Sequence, residues 1–274
     1  MNAKTTDNSR RLTPDEIDGS LAVLRDTFKA CRSLILDRAG KTEYTSKQDG
    51  SPVTDTDVEV EKILMAAMER EFPGVPIYGE ESGYAEDMTG TFWLVDPVDG
   101  TKSFVENIPT FTSMGVLIQD GEAVASVIYN ISTDEMYIAQ KGRGAYRNGT
   151  RLDLSNLPLP EKAYCKARFI EALDALLQPE GITCHNGPEG AGHGFTMVAN
   201  GTAAARFNLL SRGYIHDYAP GALLVREAGG VILPVKDDTY NYATRSFIAC
   251  HPSLEPVLRP HLQEIRTLEI ELAD

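Results

Sequence analysis

Trp93-Leu94-Val95-Asp96-Pro97-Val98-Asp99-Gly100-Thr101 is an apolar run that ends in two carboxylates three residues apart. Thr91–Val95 reads as a buried strand. The following Asp96-Pro97-Val98-Asp99-Gly100 predicts a sharp break, because Pro97 cannot donate to a strand ladder and Gly100 permits a tight turn. A backbone folded around that point brings Asp96 and Asp99 toward one cation. A helix starting after Gly100 would add free N–H groups, an anion site beside the metal site. Alone, such a segment is more often a turn whose aspartates cap backbone N–H groups. Its neighbours in sequence therefore decide the reading.

Upstream, Gly79-Glu80-Glu81-Ser82 follows a short predicted strand, Pro76–Tyr78, and places two more carboxylates at a chain break. Before it, Val58, Ile63, Leu64, Ala67 and Met68 predict a helix over Val58–Glu71, stopped by Phe72-Pro73-Gly74. Asp55 and Asp57 precede that helix. The polar stretch Lys41 to Thr56 reads as a loop or irregular hairpin. Thr13-Pro14-Asp15-Glu16 is a capping box with proline at the first helical position. The helix it opens runs to about Asp37 on Leu21, Leu24, Phe28, Cys31 and Leu34, and Gly40 ends it. Residues 1–11 read as disordered.

Downstream, Thr112–Gln119 and Glu122–Asn130 flank Asp120-Gly121, and Glu135–Gln140 precedes a second turn signal at Asn148-Gly149. This predicts an antiparallel sheet. From Leu157-Pro158-Leu159-Pro160 the texture becomes α/β. Short strands (Ala163–Ala167, Ala204–Leu209, Gly230–Pro234, Phe247–Cys250) alternate with helices near Phe169–Leu177, Ala219–Ala228 and Ser253–Leu268. A boundary near residue 155 divides the chain into halves 12–155 and 156–274. Asp217 opens the helix before Ala228-Gly229-Gly230, and by itself reads as an N-cap.

The net charge of −14, from 26 Lys plus Arg against 40 Asp plus Glu, argues against nucleic acid and anionic membranes as partners. An acidic protein also repels an anionic substrate unless bound cations invert the local field. The four cysteines form no CxxC pair and read as reduced, buried thiols of a cytoplasmic protein. Met1 to Arg11 shows no apolar signal-peptide region, and no apolar run reaches membrane-spanning length.

Taken in order, Lys47-Gln48-Asp49-Gly50-Ser51-Pro52-Val53-Thr54-Asp55-Thr56-Asp57, Gly79-Glu80-Glu81-Ser82, Asp96-Pro97-Val98-Asp99-Gly100-Thr101 and His216-Asp217-Tyr218-Ala219-Pro220-Gly221-Ala222, with Glu227-Ala228-Gly229-Gly230 behind them, resemble the motifs of the inositol monophosphatase superfamily. The resemblance implies a layered α-β-α-β-α sandwich of the inositol monophosphatase/fructose-1,6-bisphosphatase type. It implies Mg²⁺-dependent hydrolysis of a small phosphorylated metabolite, commonly by a homodimer. One Mg²⁺ would be held by Glu80, Asp96 and the Val98 carbonyl, and a second by Asp96, Asp99 and Asp217; a weaker third site would lean on Glu80. Asp57 would hydrogen-bond Thr101, and Thr101 with Glu80 would orient the attacking water. Gly100 and Thr101 would cradle the phosphate, Gly201-Thr202-Ala203 would line the substrate pocket, and Arg212 is a candidate contact. No histidine is assigned a role.

Two departures bear on substrate. Inositol-specific members carry an acidic residue seven positions before the last aspartate, where this chain has Leu210, and His216 replaces the usual tryptophan. The competing readings are a 3′(2′),5′-bisphosphate nucleotidase and a non-catalytic cation-binding or partner-binding protein. The intact Glu80, Asp96, Asp99, Thr101 and Asp217 set argues against the second.

Overall fold

The computed structural model describes residues 10–47, 50–84, 88–210 and 213–272. Helix α1 (Pro14–Arg38) opens on the expected capping box, with Thr13 and Glu16 exchanging backbone hydrogen bonds. It buries Leu21, Leu24, Phe28, Cys31 and Ile35. The polar stretch after it pairs briefly, β1 (Thr45–Ser46) antiparallel to β2 (Pro52–Val53). Helix α2 (Asp55–Glu71) begins earlier than its apolar pattern predicts. The reason is local: the Thr54 side chain accepts from the N–H groups of Thr56 and Asp57, and the Asp57 carboxylate accepts from the Thr54 N–H.

A seven-stranded sheet follows in the order β3 (Ile77–Gly79), β4 (Phe92–Asp99), β5 (Thr112–Gln119), β6 (Glu122–Asn130), β7 (Glu135–Gln140), β8 (Gly144–Arg147) and β9 (Thr150–Leu152). Only β3–β4 is a parallel pair. Strand β4 does not end at Val95, as the break expected at Asp96-Pro97 predicts, but runs to Asp99 through a bulge. Asp96 pairs with Met114 and Asp99 with Thr112, so three steps on β4 span two on β5. Met114 and Thr112 share a sheet face, and the bulge puts Asp96 and Asp99 on that face together. A short helix, α3 (Thr101–Val105), then starts from Gly100.

The second sheet takes the order β11 (Thr183–Asn186), β10 (Lys162–Cys165), β12 (Ala205–Asn208), β14 (Phe247–Cys250), β13 (Val231–Pro234). Helices α4 (Ile170–Leu177), α5 (Ala191–Ala199), α6 (Ile215–Glu227), α7 (Glu255–Leu258) and α8 (Leu262–Glu271) connect and cover it. The side-chain alternation of the strands defines the layers. Trp93 and Val95 of β4 and Val127 and Tyr129 of β6 face α1 and α2. Ile128 of β6 and Phe247 and Ala249 of β14 enclose α5 and α6 between the sheets. Ile248 and Cys250 face the outer layer with Phe169, Leu173, Leu258 and Ile265. The stack is α-β-α-β-α. All four cysteines are unpaired and buried, and no described helix is long and apolar enough to cross a membrane.

Candidate active site

Asp96 and Asp99 are almost wholly buried, at 1% and 5% exposure. Asp96 accepts the Val98 N–H at 3.1 Å. Asp99 accepts the Thr112 hydroxyl at 2.7 Å and the N–H groups of Ala191 and Gly192 at 2.8 Å each. Those two amides belong to the first turn of α5, so a helix start is docked on a carboxylate. The approach needs glycine. Gly100 sits at φ 82°, and a methyl group there would lie 3.0 Å from the Gly190 Cα.

Asp217 lies in the first turn of α6, where it accepts the Tyr214 N–H at 2.5 Å. Glu80 follows β3, its N–H bonded to the Val95 carbonyl at 3.1 Å. Buried Glu61 holds this loop by accepting the N–H groups of Glu81 and Ser82 at 2.8 Å each. Lys47 donates to Glu80 at 2.6 Å and to Glu81 at 2.8 Å. The result is two groups of ligand atoms. Asp96, Asp99 and Asp217 each bring one atom within 4.8 Å of the others, and so do Glu80, Asp96 and His216. Asp96 belongs to both.

These carboxylates carry more negative charge than their protein surroundings neutralise. Burial, then the charge of Glu80, pushes the Asp96 carboxyl well above its ordinary value, with Asp99, Asp217 and Asp57 adding to it. Burial, then Asp217, raises Asp99 to about 7, and burial raises Asp217 to about 7. Burial alone would lower Lys47, but the charges of Glu80 and Glu81 and the hydrogen bonds it donates to them outweigh it, and its pKa is raised. Buried, unneutralised carboxylates converging on one point fit divalent cations. Their oxygen donors suit a hard ion such as Mg²⁺.

His216, noted in the sequence only as a departure from tryptophan and given no role, lies within the cluster. It is 1% exposed, and burial pulls its pKa down to about 4, so it is neutral. Its Nδ1 pairs with the Tyr84 hydroxyl, while Nε2 lies 3.5 Å from Asp217 and 3.8 Å from Glu80. Asp57 and Thr101 do meet. Thr101 Oγ1 lies 3.3 Å from Asp57 Oδ1 and 3.3 Å from the Val98 carbonyl oxygen. Burial raises Asp57 to about 6.

Three expected substrate contacts are elsewhere. Gly201, Thr202 and Ala203 form the turn that ends α5, where Thr202 and Ala203 bond back to the Met197 carbonyl. Gly201 packs on Leu154 and Leu157. The glycine-rich turn that reaches the carboxylates is Gly190-Ala191-Gly192, through the Ala191 and Gly192 N–H groups. Leu210 packs on the outer core and gives its carbonyl to Lys166 at 2.6 Å. Arg212 lies outside the described residues. A cavity of about 280 Å³ opens beside Asp99 and Asp217, lined also by Arg206, Lys166, Tyr164 and Tyr218. A larger one, about 790 Å³ beside α1, β7 and β8, touches none of the candidate residues.

Comparison with known proteins agrees with this geometry. A sequence model of the inositol monophosphatase family matches residues 18–267. Inositol monophosphatase 1 of Mus musculus is 31% identical over 219 residues, 73% of this chain and 76% of its own. A histidinol-phosphatase of Chlorobaculum parvum is 28% identical over 229 residues, 80% of this chain and 85% of its own. The solved structure of a Thermotoga maritima IMPase superposes with a TM-score of 0.78 at 22% identity, covering 95% of this chain and all of that one.

Proposed function

The chain belongs to the inositol monophosphatase family, a family of metal-dependent phosphoric monoester hydrolases, and we propose that it hydrolyses a small phosphate monoester with two Mg²⁺ ions held by Glu80, Asp96, Val98, Asp99 and Asp217. The observation that carries this is the shared position of Asp96 in two ligand groups, each within 4.8 Å. Bound there, the ions would neutralise the developing charge of phosphoryl transfer and make water a better nucleophile near neutral pH.

The side chains supply position and proton handling. Asp57 fixes the Thr101 hydroxyl, and Thr101 with Glu80 orients the water. The first turn of α3, at Gly100 and Thr101, receives the phosphate oxygens. Lys47 restrains Glu80 and Glu81 and tempers the charge of the site before substrate arrives. Asp217 arrives from the second half (156–274), completing a ligand set that the first half (12–155) otherwise provides. The cavity beside Asp99 and Asp217 would take the leaving alcohol. Its volume of about 280 Å³ is at the small end for ligand sites, about 300–1,000 Å³, and favours a sugar, polyol or histidinol phosphate over a nucleotide. A panel of inositol 1-phosphate, histidinol phosphate, fructose 1,6-bisphosphate and 3′-phosphoadenosine 5′-phosphate in Mg²⁺ tests it. Turnover of none of them would overturn the proposal, and preference for the nucleotide would overturn the size argument.

The family resemblance extends the proposal to a homodimer, and the four unpaired cysteines extend it to the cytoplasm. Sedimentation of the metal-loaded protein as a monomer would remove the first extension. Secretion of the native protein with disulfides would remove the second.

A further inference from the structure

On β12, Phe207 faces the outer core while Arg206 faces the opposite way, into the cavity beside Asp99 and Asp217. Its guanidinium is not held there by an ion pair: among the described residues no carboxylate lies within salt-bridge distance of it. Instead it lies over the Phe195 ring, 5.2 Å from the centroid, a cation–π contact. It also fills the space above Gly194, where an added methyl carbon would come within 2.1 Å of its Nη1. The Nε is sealed from solvent and has no hydrogen-bond partner among the described residues. Burial lowers the guanidinium pKa and Asp99 raises it, yet arginine stays protonated in proteins.

A buried donor without a partner is costly, and a buried cation without one more so. In the metal-free chain Asp99 and Asp217 provide distant compensation. Two divalent ions would cancel the four ligand carboxylates, leaving Arg206 as uncompensated positive charge in the cavity wall. Lys166 stands beside it in the same wall. The only other carboxylate of that wall, Glu189, is exposed and faces Lys102 at 3.9 Å. A planar guanidinium presents paired donors that match a carboxylate or phosphoryl group.

We propose that Arg206 is a specificity residue that receives a second oxyanion, a carboxylate or a second phosphoryl group, carried by the leaving alcohol of the substrate. This rests on the phosphatase reading and on the leaving group occupying that cavity. It replaces Leu210 as the residue deciding selectivity, since Leu210 faces the outer core.

The test uses matched pairs of monoesters in Mg²⁺: 2-phosphoglycerate against glycerol 2-phosphate, and fructose 1,6-bisphosphate against fructose 1-phosphate. The readout is the ratio of kcat/KM within each pair. The first pair reports a carboxylate and the second a phosphoryl group. In the wild type at least one ratio should favour the oxyanion-bearing member by about 10-fold or more. Arg206→Gln should bring that ratio toward one, and Arg206→Lys should keep part of it. Ratios near one in the wild type would overturn the proposal without any variant, even if Arg206→Gln fails to fold. A ratio unchanged in Arg206→Gln, with both members slowed alike, would also overturn it and assign Arg206 a packing role on Phe195. Hydrolysis of no monoester would instead overturn the phosphatase reading.

Discussion

Asp57 gives its two carboxylate oxygens to different tasks. Oδ2 accepts from Thr54 and closes the capping box of α2, and Oδ1 meets the Thr101 hydroxyl at 3.3 Å. One oxygen thus serves as a helix cap, and the other makes the contact with Thr101 that the proposed catalytic role requires. Thr101→Ala should therefore lower kcat by about 10²–10⁴-fold with little change in KM. Asp57→Asn should fall in the same range, and the double variant should be little worse than either, because residues acting as a unit are not additive. Additive losses in steady-state assays would separate the two. His216 acts at a different point. Its ring bridges Tyr84 and the Glu80–Asp217 side of the cluster, so His216→Phe should weaken apparent Mg²⁺ affinity by about 10–100-fold, the scale of lost supporting contacts around a metal. Unchanged Mg²⁺ binding by calorimetry would show that the imidazole is mere packing.

Elements differ in how far they can be read from sequence. The hairpins are local: Asp120-Gly121 and Asn148-Gly149 hold positive φ at both turn positions, as two-residue hairpin turns require. Helix α1 carries its start signal in the capping box at Thr13 to Glu16. By contrast β4 continues through Pro97 because a bulge absorbs the proline. Helix α5 was unreadable, since Gly190, Gly192 and Gly194 interrupt any apolar period. It is fixed from outside, by Asp99 at its first turn and by the sheets on either side. The clustered carboxylates proposed to hold the metals are therefore legible as motifs, but Arg206 and the Gly190-Ala191-Gly192 turn are not, because their meaning depends on contacts distant in sequence. Gly100→Ala probes that join. It should cost more than the roughly 1–2 kcal/mol of a left-handed alanine, because its methyl group also meets Gly190. Gly121→Ala, at φ 75° with nothing within 4 Å, should cost only the conformational part. Equal losses in urea unfolding would mean that α3 and α5 are not held together at this point.

The whole molecule places several buried acids where folding raises their pKa, including Asp57 to about 6 and Glu81, Asp99 and Asp217 to about 7. A carboxyl with a raised folded pKa binds its proton more tightly when folded. Between its ordinary value of about 4 and those raised values, the folded chain binds more protons than the unfolded one. Stability then falls as pH rises. The metal-free protein should lose Tm between pH 5 and pH 8, and Mg²⁺ should restore it most at pH 8, where the ionised site binds the ion best. A Tm that rises across this window without metal would contradict the charge balance of the site. The acidity of the chain as a whole, net −14, is compatible with an anionic substrate if bound ions offset the charge of the carboxylate cluster, as proposed.

The two-ion site turns on Asp96 serving both ligand groups, and electron paramagnetic resonance of the protein loaded with Mn²⁺ in place of Mg²⁺ tests it most directly. The wild type should bind about two ions close enough for their spins to couple, as two-metal phosphatase sites do at about 3.5–4 Å. Asp96→Asn should lose the coupled signal together with turnover. A spectrum of isolated Mn²⁺ in the active wild type, unchanged in Asp96→Asn, would contradict the shared ligand and the two-ion site with it.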